Sequence, residues 1–390
     1  MASTIATEDR QGQGGALPDD PLKTKSSLSV DDAEELASKL YGLKVANIGE
    51  MDGYVDQNFY VCAGLPNSDK TEEYTMKVMN ATDSKDVALL DAQTEAILFL
   101  IERGFSCPRP IKLKIGEYMK LEKLTSEKGT TENVVRLLSY IPGKTIREAD
   151  IVMTPDLYYK CGVHVGNIDV ALRDFYHEGV QRRDFLWSMQ NVPYLEKLSY
   201  VFEETQKRDT IRSVTCAFRD HVIPNFDKLT KGVIHGDFSN YNLLVKQREF
   251  TKDLIQEVEG KNPGEYYEIC GLLDFGCMEY NCLLFEIAVA LAYFMIESDD
   301  PIQSGGHMLA GYLSVYPLSA LERELLYYCI AGRVSQSVTL GMYFATLDPS
   351  NRYALSTQKP GWKFLEIWWS TPKVEVEQRW ENIMKAYKEN

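Results

Sequence analysis

The 390-residue chain is short of positive charge: 42 Lys and Arg stand against 57 Asp and Glu, a formal net charge of −15. A nucleic-acid binder needs a basic stripe to neutralise phosphates, so that class is disfavoured. The acidity is a solvated surface, or it suits a cationic small molecule. The eight cysteines, Cys62, Cys107, Cys161, Cys216, Cys270, Cys277, Cys282 and Cys329, include no Cys-x-x-Cys pair and read as reduced core thiols. The N-terminus has no apolar segment, since Asp9, Arg10, Asp19 and Asp20 are spaced among Gly and Ser, so no secretory signal is expected and the cytoplasm is the default location. No apolar run reaches the ~20 residues of a membrane span. The longest, 283–296, contains Glu286 and reads as a buried core helix.

Length and pattern point to two lobes, because single cores stop growing near ~250–300 residues. Residues 1–27 carry almost no bulky apolar side chains and are expected to be a disordered tail. Ser29 with Asp32 forms a capping-box start for a helix carrying Leu36 and Leu40. Short alternating segments at 44–48, 58–63, 73–79, 106–114 and 134–140 read as one antiparallel sheet, and 89–102 as a helix that packs across it. The remainder reads as mostly helical, with Leu157, Cys161, Val165, Ile168 and Leu172 forming one apolar stripe. The expectation is an α+β bilobal fold: a nucleotide-binding N-lobe over 28–141 and a helical C-lobe over 142–390 that carries a catalytic loop and substrate pocket.

Two short strings carry the chemistry. The first is His235-Gly236-Asp237-Phe238-Ser239-Asn240-Tyr241-Asn242, between the apolar runs 232–234 and 243–245. The second is Leu273-Asp274-Phe275-Gly276. The first reads as strand, tight loop and strand, one hairpin-like unit with Asp237 and Asn242 in its loop. An oxygen-only pair, the Asn242 amide and the Asp274 carboxylate, suits magnesium, which takes the rest of its shell from waters and phosphates. Asp237 is then left to accept the proton of a hydroxyl nucleophile. His235 reads as a loop-organising histidine rather than a base. These are the parts needed to move a nucleotide γ-phosphoryl, a reaction that runs on positioning and charge neutralisation. After Gly276 only six residues precede the buried helix and no Ala-Pro-Glu follows, so a protein substrate is not expected.

The constellation, with His-Gly-Asp where protein kinases have His-Arg-Asp, resembles the aminoglycoside phosphotransferase and choline kinase-like superfamily. Val135-Arg136-Leu137-Leu138-Ser139-Tyr140-Ile141-Pro142-Gly143-Lys144, Phe185-Leu186-Trp187, Asn191-Val192-Pro193, Pro301 to His307 and Gly361-Trp362-Lys363 resemble the corresponding segments of hydroxylysine kinases. The resemblance spans about 30 to 385, close to a whole kinase fold. It implies Asp237 as catalytic base, Asn242 and Asp274 as magnesium ligands, and transfer from GTP to 5-hydroxy-L-lysine. Nothing in the chain excludes ATP. Related acceptors are choline, ethanolamine, homoserine and aminoglycosides, and a non-catalytic nucleotide-binding protein is the alternative from another class.

By the same resemblance Lys77, in the strand Tyr74 to Val78, meets the phosphates, although a strand lysine is commonly just solvated. Its acidic helix partner is assigned to Glu95, with Asp91 and Gln93 as neighbours at the same turn. The Ser139 carbonyl and Ile141 amide are assigned to the purine. The loop 52–58 stands where kinases have a glycine-rich flap but holds one glycine, and reads equally well as a hairpin turn. An amino-acid acceptor needs charge partners: Asp184, Glu279, Glu297 and Asp299 are candidates for its ammonium groups, and Arg182, Arg183, Arg333 and Lys363 for its carboxylate. Glu286 reads as an anchor of the metal loop. Trp187 reads as an apolar wall or as core packing.

Overall fold

Ser29 caps the first helix as its sequence implies: its hydroxyl accepts from the Asp32 amide at 3.1 Å, and Asp32 accepts the Ser29 amide in return. The structure, a computed structural model, describes residues 25–53, 55–64, 70–126, 129–181, 185–247, 266–349 and 352–389. Most of the expected tail therefore lies outside the described residues. The chain is already docked just ahead of residue 28, where the Ser26 hydroxyl donates to Gln57 at 2.8 Å.

Helix α1 (Val30–Tyr41) leads into strands β1 (Lys44–Met51), β2 (Gln57–Gly64) and β3 (Thr71–Val78), then helix α2 (Val87–Glu102) and strands β4 (Pro110–Ile111), β5 (Met119–Ser126) and β6 (Gly129–Ser139). Among the described residues these strands form one antiparallel sheet in the order β1-β2-β3-β6-β4, with β5 also on β6. Alternation sets its buried face. Phe59, Val61, Met76, Val78, Val135 and Leu137 close on Leu36 and Leu40 of α1 as a separate small core.

Two sequence expectations need correction here. The strand at 106–114 shrinks to Pro110–Ile111, because Pro108 and Pro110 have no amide to donate to a ladder. The partner of β6 over most of its length is instead β5, Met119 to Ser126, whose charges fall on both faces and so break the expected alternation. Helix α2 also does more than cross the sheet: its Leu89, Ala92, Ala96, Ile97 and Leu100 are buried in the core of the helical lobe. At its first turn, Gly179 approaches so closely that an added Cβ would stand 2.0 Å from the Ala88 carbonyl.

After residue 143 come β7 (Lys144–Thr145), α3 (Pro155–Leu172), α4 (Thr205–Ala217), β8 (Lys231–Ile234), β9 (Leu243–Gln247), β10 (Tyr267–Leu272) and β11 (Glu279–Cys282). Helices α5 (Leu283–Met295), α6 (Pro301–Val315), α7 (Ala320–Leu347), α8 (Gln358–Ser370) and α9 (Lys373–Glu389) complete the lobe. The apolar stripe of α3 is fully buried, as is every residue of α5. No described helix is long and apolar enough to cross a membrane, and all eight cysteines are free.

The strands flanking the 235–242 loop do not form a hairpin. β8 pairs with β11, whereas β9 pairs with β10 and β7, so the loop crosses between two small sheets. Eight residues are more than a tight turn needs, and Gly236 at φ +77° turns the chain where a Cβ would meet the Cys277 carbonyl at 2.4 Å. That crossing brings the two motif strings together.

Candidate active site

Register explains why the two strings share one cleft. β9 and β10 run antiparallel with Leu243 opposite Leu272, so Asn242 at the start of one strand lies beside Leu273 past the end of the other. The Leu273 amide donates to the Asn242 carbonyl at 2.8 Å, and Asp274 follows in a left-handed conformation (φ +54°) that turns its side chain towards Lys77. A non-glycine residue held there stores strain that the surrounding bonds maintain.

Lys77 projects from β3, 7% exposed, and its Nζ donates to Asp274 Oδ1 at 3.1 Å. The Gly276 amide donates to the same oxygen at 3.0 Å. Burial works against the charge on Asp274, but the Lys77 ammonium and these hydrogen bonds outweigh it and hold the carboxyl at about 2. Asp274 is therefore an anion at any working pH.

Asp237 is gripped from two sides. The Asn242 amide donates to its Oδ2 at 2.7 Å and to its backbone carbonyl at 3.0 Å, while Arg333 Nη2 donates to its Oδ1 at 3.2 Å. Burial pushes the Asp237 carboxyl up; Arg333 pulls it down, the negative Asp274 pushes it further up, and the balance stands at about 6. That is where a general base for neutral solution belongs.

His235 is fully buried, its Nε2 on the Leu273 carbonyl at 2.9 Å and its Nδ1 accepting the Asp237 amide at 3.3 Å. Those two bonds fix the proton on Nε2 and join the two strings, and burial depresses the imidazole to about 4, so it stays neutral. It organises the loop, as its sequence context suggests. Glu286 of α5 anchors the same loop from below, accepting the Gly236 amide at 2.8 Å.

A divalent cation fits the oxygens that remain. Both recorded bonds of the Asn242 side chain leave from Nδ2, which presents its Oδ1 elsewhere; Asp274 uses Oδ1 for Lys77 and Gly276. A hard amide oxygen and a carboxylate oxygen are the donor types magnesium takes.

The partner assigned to Lys77 is not found. Glu95 lies on the outer face of α2, where it and Asp91 each stand 3.9 Å from His177 Nε2. The buried residue on that helix is Gln93, whose Oε1 accepts from Arg136 Nη1 at 3.1 Å; Arg136 is the cross-strand neighbour of Lys77. Two residues along a helix rotate by about 200°, so Glu95 and Gln93 cannot face the same way. The charge role passes to Asp274 itself, with Asp56, buried on the Asn80 amide at 2.8 Å, adding negative potential at Lys77.

Of the two residues expected at the purine, Ser139 bonds Arg109 through its amide and its hydroxyl, each at 2.8 Å, and the Ile141 side chain covers Gly271. Of the acceptor-side candidates, Arg182, Arg183 and Asp184 lie outside the described residues. Glu297 pairs with Arg147, Lys363 is exposed on α8, and Glu279 is buried on β11 opposite Ile234. Trp187 stacks on Phe344 with the Arg333 guanidinium 5.1 Å above its ring. Arg333 does meet a carboxylate, but it is that of Asp237. Sequence reasoning missed Asp56, Arg136, Tyr293 and Gln336; the one signal for the Arg333 network was a charge embedded in the small and apolar run 329–341.

Between Asp274 and α5 lie one helical turn, Phe275–Cys277, and strand β11, which leave no room for a substrate-docking activation segment. A model of the phosphotransferase enzyme family matches residues 66–251. Hydroxylysine kinase of Xenopus laevis is 35% identical over 93% of this chain and 96% of its own length, and that of Mus musculus 33% identical over 91% and 93%. Among solved structures, a microcompartment-associated aminopropanol kinase superposes with a TM-score of 0.63 at 13% identity, covering 88% of this chain and 98% of its own. The amicoumacin kinase hAmiN gives 0.59 at 15% identity over 87% and 94%, which extends the shared fold. The chain is a small-molecule kinase acting on an alcohol with a nucleotide donor, and it belongs to the hydroxylysine kinase family of phosphotransferase enzymes.

Proposed function

We propose that this kinase transfers the γ-phosphoryl of GTP, with ATP as the second donor, to the hydroxyl of 5-hydroxy-L-lysine. The observation that carries the chemistry is the bond from Asn242 to Asp237 in a cleft bounded by the Lys77–Asp274 pair. The acceptor rests on the relatives named above.

In this reading Asp237 takes the hydroxyl proton as the new O–P bond forms, with Oδ1 and Oδ2 already oriented by Arg333 and Asn242. Lys77 releases part of its hold on Asp274 to meet the phosphates. Asn242 Oδ1 and Asp274 hold magnesium, which neutralises charge on the nucleotide; hAmiN was solved with AMP-PNP and Ca2+. The purine edge lies against the Ser139 carbonyl and Ile141 amide at the hinge, contacts that do not by themselves choose between guanine and adenine.

The acceptor side is aromatic. Tyr241 contacts Tyr353 edge-on at 5.8 Å and Tyr293 at 6.5 Å, and Asp237 acts electrostatically on all three. Aromatic faces suit cations: Arg147 already stands 5.0 Å over the Tyr241 ring and Arg333 5.2 Å over that of Tyr293, and in this reading an ammonium group meets the ring of Tyr353. Because Arg333 is committed to Asp237, a carboxylate-free amino alcohol is the second reading.

The test is a panel of 5-hydroxylysine, choline, ethanolamine, homoserine, an aminoglycoside and a decarboxylated hydroxylysine analogue, each with labelled GTP and ATP. Hydroxylysine should exceed the carboxylate-free analogue in kcat/KM by at least about 10²-fold, since a site built to bond a carboxylate is left unpaired without one. Equal use of the analogue replaces the first reading with the second.

A further inference from the structure

Arg333 is a buried charge that the transfer just described leaves without a step of its own. It lies in the middle of α7, 1% exposed, and its two terminal nitrogens are committed four times. Nη1 donates to the Trp187 carbonyl and to Gln336 Oε1, both at 3.1 Å. Nη2 donates to Asp237 Oδ1 at 3.2 Å and to the Tyr293 hydroxyl at 3.3 Å. Its remaining donor, Nε, has no partner but is buried, so the terminal nitrogens are taken and the one unused donor is out of reach of a substrate. One turn along, Gln336 Nε2 donates to the carbonyls of Leu186 at 2.7 Å and Ser188 at 3.1 Å. Three consecutive carbonyls are thus held by two side chains of one helix.

We propose that Arg333 is a positioning residue for phosphoryl transfer: its planar fork ties the Asp237 carboxylate to the 186–188 backbone and, through the Asp237–Asn242 bond, sets where Asn242 Oδ1 points. The inference rests on the kinase reading and deepens it. A guanidinium presents donors in a fixed plane, which an ammonium on a flexible stem cannot do. Here the plane is held between the rings of Trp187 at 5.1 Å and Tyr293 at 5.2 Å. Rotation of Asp237 about its side-chain bonds would break the Arg333 and Asn242 bonds together, so one group fixes both the proton acceptor and the amide beside it.

The experiment uses the full-length chain. Arg333→Ala vacates the volume of the guanidinium itself, beside Tyr293 and Ser337, and that space is the one free guanidinium would refill. We expect R333A to lose about 10²-fold in kcat, the scale of a misplaced reacting group, with the nucleotide KM nearly unchanged. Millimolar guanidinium should restore a saturable part of that kcat, and should not accelerate the unmodified chain or D237N. R333K, which keeps the charge and loses the fork, should remain slow. Wild-type kcat in R333A, or a loss in which kcat and nucleotide KM worsen together and guanidinium has no effect, overturns the proposal. If R333A does not fold, R333K decides: wild-type kcat in folded R333K overturns the proposal, and lowered kcat with intact nucleotide KM upholds it. Absence of turnover by the unmodified chain on any acceptor would instead refute the kinase reading, and this inference with it.

Discussion

The Leu273 amide donates to the Asn242 carbonyl at 2.8 Å, and that backbone bond brings the two metal-ligand candidates, Asn242 and Asp274, together at the ends of paired strands. Asp274 is also the partner of Lys77, so its removal should have two effects. Asp274→Asn keeps the size and the acceptor for Gly276 but discards the charge that cancels Lys77 and attracts a cation. Magnesium should then be needed at far higher concentration, and kcat should fall by about 10²–10³-fold, the scale of losing one preorganised electrostatic group. Titrating magnesium against the binding of a fluorescent nucleotide measures the first effect. An unchanged magnesium requirement would remove Asp274 from the ligand set.

Asp237 carries a prediction in pH. Its folded value of about 6 lies above the usual carboxylate range because burial and Asp274 outweigh Arg333 and Asn242. The acceptor proton is taken only by the ionised form, so kcat/KM should climb as pH rises through about 6 and level off above it. Asp237→Asn should lower kcat by about 10²–10⁴-fold at every pH and abolish the rising limb while the chain stays folded. A limb that persists in D237N belongs to another group.

Much of this was legible because catalytic loops are written in residues with narrow chemical uses. Asp237, Asn242 and Asp274 could be picked out from type and spacing and Lys77 from the resemblance, and the first three share a cleft through the register of β9 on β10. Helices with a strong apolar stripe, such as α3, and a capped start, such as Ser29, were equally readable. What failed depended on partners far away in sequence. The 232–245 stretch looks like a hairpin because nothing local reveals that β8 takes β11, some fifty residues downstream, as its partner. β5 was hidden by Lys120, Glu122 and Lys123, charges on both faces of the strand, with Glu122 neutralised on the half-buried face by Lys39 and Lys120. Arg333 reaches Asp237 across 96 residues, a separation no local pattern encodes.

The choice between Glu95 and Gln93 can be tested directly. Glu95 is exposed beside His177, and surface ion pairs are worth ~0–1 kcal/mol, so Glu95→Ala should leave kcat and stability nearly unchanged. Gln93 is 1% exposed and accepts from the buried Arg136, whose Nε already lacks a partner. Gln93→Leu would strand a desolvated guanidinium next to Lys77, which should cost about 1–3 kcal/mol and weaken nucleotide binding. Urea unfolding and nucleotide affinity for the two variants provide the comparison. A large loss of activity in E95A with none in Q93L would restore the sequence-based assignment.

Glu286 links the catalytic loop to pH through stability rather than rate. It is fully buried, and burial raises its carboxyl from 4.5 to about 7, with Asp237 adding to the rise and the Gly236 amide and Arg333 opposing it. The neighbouring buried carboxyl of Asp169 is raised as well, by its own burial first and by Glu286 second. A folded-state value above the unfolded one means that the native chain holds this proton more tightly. Its contribution is complete below about 4.5 and is lost as pH rises through about 7. Glu286→Gln keeps an oxygen for the Gly236 amide and cannot ionise. Its stability relative to the unmodified chain should therefore improve steadily between pH 5 and pH 8, read as the difference in urea midpoint at each pH. Two midpoint curves that stay parallel across that range would show that Glu286 does not gain charge there, and the loop anchor would have to be an anion throughout.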